Sequence, residues 1–335
     1  MKFHDITEAP IKIYGLAYNG EGGNFDRLPR EAAASVSEGV KGLGRRNTGG
    51  RVRFRTNSRN LNVKYTLKTL GNDIRISLCG SAGCDIYSGI GADSRFIGFV
   101  QPNGFAESDK TNEVTLHLDG SLQQITIMLP RNELLASMTV GVDDYALLLE
   151  PIQYAIDNPV VFYGSSITEG GCCTRVGASY TAIVSRLLDA DHRNFGFSGA
   201  GRGEPAMAEY IAGLTMSAFV YDYDHNAPSA EHLAETHEPF FKIIRAAQPN
   251  LPIVIMSKPD FDWDREGNAR RRDVIRATYD NAVAAGDRHV RFIDGETLYG
   301  DRDRDACTVD GCHPNDLGFY RMAMTLLPVL RDILG

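Results

Sequence analysis

The chain has 335 residues, of which 43% are apolar and 23% are charged, a balance typical of a globular protein rather than a disordered one. Its net charge of −8 disfavours nucleic acid or an anionic membrane as a partner. No segment has the roughly 20 apolar residues that span a bilayer, and the N-terminus lacks the apolar stretch of a secretory signal, so we expect a cytoplasmic protein.

The first half of the chain has the period-two pattern of half-buried strands. Turn residues such as Asn57-Ser58 and Asp119-Gly120 separate the apolar segments, and no long helical period interrupts them. Short strands at this spacing predict an antiparallel sandwich or jelly roll, which we assign to residues 1–152. The alternating segments are 52–54, 63–67, 114–118 and 125–129.

The second half alternates apolar runs with helical patterns. Val160-Val161-Phe162-Tyr163 is typical of a strand buried on both faces. Strands that alternate with helices predict a parallel sheet covered on both sides, and we assign this α/β domain to residues 153–335. The predicted helices are 180–188, 231–247, 270–285 and 316–334, and the predicted later strands are 218–223, 253–257 and 290–294.

A serine-rich turn, Gly164-Ser165-Ser166-Ile167-Thr168, follows the first parallel strand. Ligands of such sheets bind beyond the carboxyl ends of the strands. A serine at this turn can expose its hydroxyl and aim its backbone N–H at a developing oxyanion. The alternative is that the hydroxyl groups only cap a helix. Thr168 stands where a G-x-S-x-G elbow needs glycine, which disfavours the α/β-hydrolase pattern.

A carboxylate and a histidine open the last predicted helix, in the segment Asp310-Gly311-Cys312-His313. Three residues apart across a glycine turn, Asp310 could accept the Nδ1–H of His313 while Nε2 faces outward, as a catalytic triad requires. Taken alone, the segment could also be a helix-capping turn. Gly199 and Asn226 offer a backbone N–H and an amide, the donor types of an oxyanion hole, but singly each is a turn or loop residue.

Together, and in this order, the four segments resemble the SGNH (GDSL) hydrolase family. Its first block, Gly-Asp-Ser-Ile-Thr, matches Gly164–Thr168 with Ser165 in place of aspartate. The resemblance implies a serine esterase with a flavodoxin-like fold, Ser166 as nucleophile, His313 as general base and Asp310 as its orienting partner. It also implies an oxyanion hole built from the Ser166 and Gly199 N–H groups and the Asn226 side chain. The third block, usually Gly-x-Asn, is altered here to Asp224-His225-Asn226.

The first half resembles the β-domain that precedes some SGNH hydrolases and carries a Gly-x-Asp-Leu-Tyr signature. Gly83-Cys84-Asp85-Ile86-Tyr87 matches it with isoleucine for leucine. Such two-part enzymes resemble the bacterial acetylxylan-esterase-like branch, which implies an acetylated small-molecule or oligosaccharide substrate, no cofactor and no metal. The resemblance leaves homo-oligomer formation open.

Two further residues are candidates for substrate contact. His225 adjoins Asn226, and Trp263, the only tryptophan, could stack on a sugar ring or simply anchor its loop. The spacing of His225, His232 and His237 fits no single helical face and predicts no metal site.

The six cysteines are too few for a disulfide scaffold of this size, so we expect free thiols. A bridge between Cys172 and Cys307 is the alternative, since these residues lie six positions after Ser166 and six before His313. Cys173 and Cys312 are rival partners for such a bridge.

Two other functions remain open from the sequence. A thioesterase or lysophospholipase would keep the same triad but needs an apolar channel, whereas the segments around the predicted site are polar. A non-catalytic carbohydrate-binding protein would suit the β-domain, but the intact triad counts against it.

Overall fold

The computed structural model describes residues 1–335 and contains three β-sheets. None of these sheets combines strands from both halves of the chain. In chain order the strands are β1 (Lys2–Asp5), β2 (Lys12–Tyr14), β3 (Arg51–Thr56), β4 (Asn60–Leu67), β5 (Cys84–Ser88), β6 (Arg95–Val100), β7 (Thr111–His117), β8 (Gln123–Met128), β9 (Leu135–Val142), β10 (Leu148–Leu149), β11 (Ile156–Gly164), β12 (Ala190–Gly196), β13 (Ala218–Asp222), β14 (Ile253–Met256) and β15 (Val290–Ile293). The α-helices are α1 (Arg30–Val36), α2 (Glu38–Leu43), α3 (Leu78–Ala82), α4 (Ser166–Glu169), α5 (Tyr180–Leu188), α6 (Pro205–Ala212), α7 (Ala230–Ala247), α8 (Arg265–Ala284) and α9 (Asp316–Leu334).

The first half forms two antiparallel sheets. One has the strand order β1-β9-β4-β7, and the other, which we call the inner sheet, has the order β10-β3-β8-β5-β6 with β2 paired to β3. The apolar residues of the period-two pattern, such as Phe54, Val63 and Ile127, are fully buried in one shared core. The predicted all-β domain is thereby confirmed.

The second half forms a parallel five-stranded sheet in the order β12-β11-β13-β14-β15. The run in β11 is buried on both faces: Val161 and Tyr163 belong to one core, and Val160 and Phe162 to the other. This confirms the predicted α/β class. The strand order reverses at β11, because β12 lies on one side and β13 on the other, and such a switch point is where ligands bind in open α/β sheets.

The structure departs from the sequence-based expectation in both halves of the chain. The strand β12 and the helix α6 were not predicted, since β12 is rich in polar residues. Three short helices, α1, α2 and α3, also occur in the first half, where the sequence showed no long helical period. Leu28, Ala33 and Val40 from this region belong to a core of the second half, which they join with Val161.

Candidate active site

The turn that carries the predicted nucleophile leaves the Ser166 hydroxyl free, because the neighbouring residue Ser165 caps the helix. Ser165 caps α4, and its Oγ accepts the N–H of Ile167 at 3.1 Å. Serine and aspartate are both good N-cap residues, so the substitution in the first block keeps this role. Gly164 is required at the end of β11, since a Cβ there would lie 2.0 Å from the carbonyl oxygen of Asp222.

The structure brings the three predicted triad residues together. Ser166 Oγ lies 3.0 Å from His313 Nε2, and His313 Nδ1 lies 2.8 Å from Asp310 Oδ2. The side chains of His313 and Asp310 are 22% and 28% exposed, so the site is open to solvent. Gly311, at φ +83°, makes the turn between them.

The carboxylate of Asp310 is held in its charged form. Partial burial raises its pKa, but hydrogen bonds from the His313 N–H, the His313 ring and the Cys312 N–H outweigh burial, so the net pKa is below the usual range. A charged Asp310 keeps the Nδ1 proton of His313 on its own side. The Nε2 of His313 can then accept a proton from Ser166.

Two of the predicted oxyanion donors are already hydrogen-bonded in this structure. The N–H of Gly199 donates to Asn226 Oδ1 at 3.0 Å. The Nδ2 of Asn226 donates to the carbonyl oxygens of Phe197 and Gly201, at 2.7 and 2.9 Å. Asn226 therefore stabilises the conformation of the loop that contains Gly199. By contrast, the Ser166 N–H at the start of α4 has no partner within its helix.

His225 lies beside the triad, but it is buried among other side chains. Its Nε2 lies 3.3 Å from Asp260 Oδ1, and its Nδ1 lies 3.6 Å from the Sγ of Cys312. Burial, with the positive charge of Lys258, lowers the pKa of His225 to about 3, so the ring is neutral. Its contacts are with protein groups, and its substrate role remains a prediction.

These same side chains are the group that could hold a metal ion. One ligand atom from each of His225, Asp260 and Cys312 lies within 4.8 Å of the others. However, Lys258 Nζ lies 3.5 Å from Asp260 Oδ1 and already balances this carboxylate. Histidine spacing could not reveal the group, because its members come from three separate loops.

Trp263 lies next to the base loop and is 76% exposed. Its ring covers Gly311, where an added Cβ would lie 2.5 Å from the ring atoms. Trp263 and Asp310 line a cleft of about 710 Å³ beside the triad. The cleft is rich in carboxylates, which besides Asp310 belong to Asp260, Asp262, Asp301, Asp303 and Asp305.

Residues of the first half of the chain contact the site. The sequence analysis did not predict these contacts. Arg75 Nη1 lies 3.8 Å from Asp310 Oδ2. Arg131 donates to the carbonyl oxygens of Gly170 and Gly171, and the N–H of Gly171 donates to Ser166 O at 2.7 Å. Arg131 therefore holds the segment that follows the nucleophile.

Asp85 gives the Gly-x-Asp signature a structural role. Its Oδ2 accepts hydrogen bonds from Arg175 Nη1 at 2.9 Å and from the N–H of Gly177 at 3.0 Å. Both partners lie in the second half of the chain. The Gly-x-Asp signature was the one feature of the sequence that pointed to this contact. Its aspartate, Asp85, links the two halves of the chain.

Glu169, three residues after the nucleophile, is buried in an ion cluster. Its Oε1 lies 3.1 Å from Arg27 and 3.2 Å from Arg46, both from the first half. Its Oε2 accepts the N–H of Ser198 at 3.3 Å. Glu169 thus connects the first half, the helix of Ser166 and the loop of Gly199.

All six cysteines are free thiols, so the alternative of a Cys172–Cys307 bridge is wrong for this structure. Burial raises the pKa of Cys312 to about 12 and that of Cys173 to about 11, so both thiols are protonated at neutral pH. No helix has both the length and the apolar character that crossing a membrane requires.

Two family comparisons cover almost the whole chain. Residues 157–331 match the GDSL-like lipase/acylhydrolase family. Residues 1–148 match the GxDLY family, described as the N-terminus of SGNH-hydrolase-type esterases. No curated protein sequence matches the chain significantly.

Several solved structures share the fold. A protein from Bacteroides ovatus described as a GDSL-like lipase is 26% identical, with a TM-score of 0.87 and coverage of 99% of this chain and 98% of its own. The salicylyl-acyltransferase SsfX3 from a tetracycline biosynthetic pathway is 20% identical, with a TM-score of 0.78 and coverage of 98% of both chains. The acetyl xylan esterase Est2A from Butyrivibrio proteoclasticus is 13% identical, with a TM-score of 0.63 and coverage of 100% of this chain and 98% of its own.

Proposed function

The chain belongs to the GDSL-like lipase/acylhydrolase family, and on that premise we propose that it removes acetyl groups from carbohydrates through an acyl-enzyme on Ser166. The observation that carries this proposal is the hydrogen-bonded chain from Ser166 Oγ through the His313 ring to Asp310, with links of 3.0 and 2.8 Å. That order is the one a nucleophile, a base and an orienting carboxylate require.

In the first step, His313 Nε2 takes the proton of Ser166 as its Oγ attacks the ester carbonyl carbon. Asp310 stabilises the imidazolium that forms and does not itself take the proton. His313 then protonates the departing sugar oxygen, which leaves an acetyl-enzyme. Water then attacks the acetyl carbonyl carbon with His313 as base, and His313 returns this proton to Ser166 Oγ as acetate is released.

The oxyanion is assigned to the Ser166 N–H, with the Gly199 N–H and the Asn226 amide as further donors. For Gly199 to serve, its hydrogen bond to Asn226 Oδ1 must open when the ester carbonyl enters. For the Asn226 amide to serve, it must release the carbonyl oxygen of Phe197 or of Gly201. Losing one such donor typically costs about 2.7–4 kcal/mol of barrier.

The carboxylate-rich cleft beside the triad favours a sugar as the leaving group. Its carboxylates can accept hydrogen bonds from sugar hydroxyls, and the exposed ring of Trp263 offers an apolar face. A thioesterase or lysophospholipase would instead need an apolar channel for a long acyl chain. The shared fold of an acetyl xylan esterase is consistent with the carbohydrate assignment.

Hydrolysis of p-nitrophenyl esters and of acetylated xylo-oligosaccharides tests this proposal. We expect Ser166→Ala and His313→Ala to abolish activity on both substrates with the fold intact, and Asp310→Ala to reduce it less. We expect acetyl esters to be preferred over butyryl esters, and octanoyl esters to be unused. A wild-type rate for Ser166→Ala would refute the nucleophile. A kcat/KM that rises with acyl length would favour the thioesterase or lysophospholipase class.

A further inference from the structure

A small cavity lies between the two halves of the chain, remote in sequence from the triad. Its floor is the outer face of the inner sheet, where Arg53, Thr126 and Tyr87 form a row across β3, β8 and β5. Its roof is the last turn of α5, which contributes Ser185 and Arg186. We call this space the interdomain arginine cavity.

Of the three arginines that line the cavity, Arg53 and Arg186 have no partner for their charge. Arg53 is 2% exposed, and its Nε and Nη1 have no hydrogen-bond acceptor. The Nε of Arg186 and the hydroxyl of Ser185 are likewise buried without a partner. By contrast, Arg51 on the same face of β3 is ion-paired with Asp191.

No carboxylate oxygen lies within 4.0 Å of the Arg53 or Arg186 guanidinium group. Asp189 also lines the cavity, but its Oδ2 accepts the N–H of Ala155 at 3.1 Å. The guanidinium carbon of Arg53 lies 3.6 Å from the ring centroid of Tyr154. The corresponding distance from Arg186 to Tyr87 is 5.0 Å.

These aromatic contacts offset only part of the free-energy cost of burying the guanidinium groups. Taking an ion out of water is a larger effect than stacking on an aromatic ring. Water in the cavity could accept the free N–H groups, but it would leave both positive charges without a counterion. An anion would satisfy the donors and the charge together.

We propose that the interdomain arginine cavity binds a small inorganic oxyanion of the phosphate or sulfate type. Arg53 and Arg186 would bind its oxygens from opposite walls, and the Ser185 hydroxyl would donate a further hydrogen bond. The free space holds about two or three water-sized groups, which suits one oxyanion and excludes a nucleotide. Because Arg53 and Arg186 belong to different halves, the bound ion links them.

The test measures thermal unfolding of the full chain in sodium phosphate, sodium sulfate and sodium chloride at equal ionic strength. We expect a saturable rise of the midpoint with phosphate or sulfate beyond that in chloride, and one-to-one binding of the same ion by calorimetry. Arg53→Met and Arg186→Met should each lose this rise. The control Arg276→Met, at an exposed ion pair on α8, should keep it.

The unfolding midpoint in chloride is a second measurement, and it distinguishes an anion site from a purely structural role of the arginines. In chloride alone, Arg53→Met should unfold at or above the wild-type midpoint, because the variant removes a buried charge without a counterion. If Arg53→Met does not fold, the proposal is tested by the midpoint rise in Arg186→Met and by calorimetry on the wild type. Equal midpoints for the wild type in all three salts, or an unchanged rise in both variants, would overturn the proposal.

Discussion

Replacing Glu169 by glutamine changes one atom in the ion cluster that joins the nucleophile helix to the first half of the chain. Glu169 is 3% exposed, and the side chain of Arg27 is fully buried. Burial already lowers the pKa of Arg27 to about 10, so this guanidinium is costly to bury even with its partner. Glutamine keeps the shape of the side chain but removes the compensating charge.

The expected loss follows from this burial. Removing one partner of a buried ion pair costs about 3–5 kcal/mol, because the other charge stays buried without compensation. Arg46 is also left without its carboxylate, although it is more exposed. Since α4 contains only Ser166 to Glu169, we also expect kcat to fall, because the position of Ser166 Oγ is less well fixed.

Urea unfolding of the wild type, Glu169→Gln, Arg27→Met and the double variant measures the effect. The double variant should recover much of the loss, because replacing both partners of a buried pair is often nearly neutral. The matched control is Glu266→Gln, since Glu266 is 89% exposed, and it should leave stability unchanged. A Glu169→Gln protein within about 1 kcal/mol of the wild type would refute the reasoning.

Three further outcomes are expected. Trp263→Ala should raise KM for acetylated xylo-oligosaccharides by roughly 5- to 30-fold, equivalent to about 1–2 kcal/mol of lost apolar contact, with little change in kcat for p-nitrophenyl acetate. Asn226→Ala should lower kcat by about 10²–10³-fold if the amide binds the oxyanion, as measured on p-nitrophenyl acetate. His237→Gln should reduce the dependence of stability on pH: burial lowers the pKa of His237 to about 3, so this one histidine contributes a loss of up to about 1.4 kcal/mol per pH unit on acidification from about pH 6.5 towards pH 3.

Each of these outcomes has a control variant or a result that would contradict it. Tyr145→Ala removes a fully exposed ring outside the cleft and should leave both kinetic constants unchanged. An unaltered KM in Trp263→Ala would remove Trp263 from the substrate site. If Asn226→Ala loses stability but keeps kcat, the amide only fastens the Gly199 loop. His289→Gln changes an exposed histidine and should keep the wild-type pH slope, whereas the same slope in His237→Gln would contradict the argument from burial.

The sequence alone determined the elements whose pattern is local. Helices α5 and α9 have the predicted bounds, because their apolar residues repeat with the helical period. The two-sided burial of Val160 to Tyr163 was also visible as an uninterrupted apolar run. The order of the serine, glycine, asparagine and histidine segments was enough to indicate the family.

Only the tertiary structure decided what depends on contacts between distant residues. Arg27 and Glu169 are 142 positions apart, and neither residue's neighbours indicate the pair. The polar strand β12 was missed for the same reason: His192 and Asn194 are buried there by contacts with other parts of the chain, such as Arg51 and Thr168. Local periodicity reports which face of an element is apolar, whereas the partner of a buried charge or amide is set by how the elements pack. The pairing of Gly199 with Asn226 and the uncompensated arginines between the halves belong to this second class.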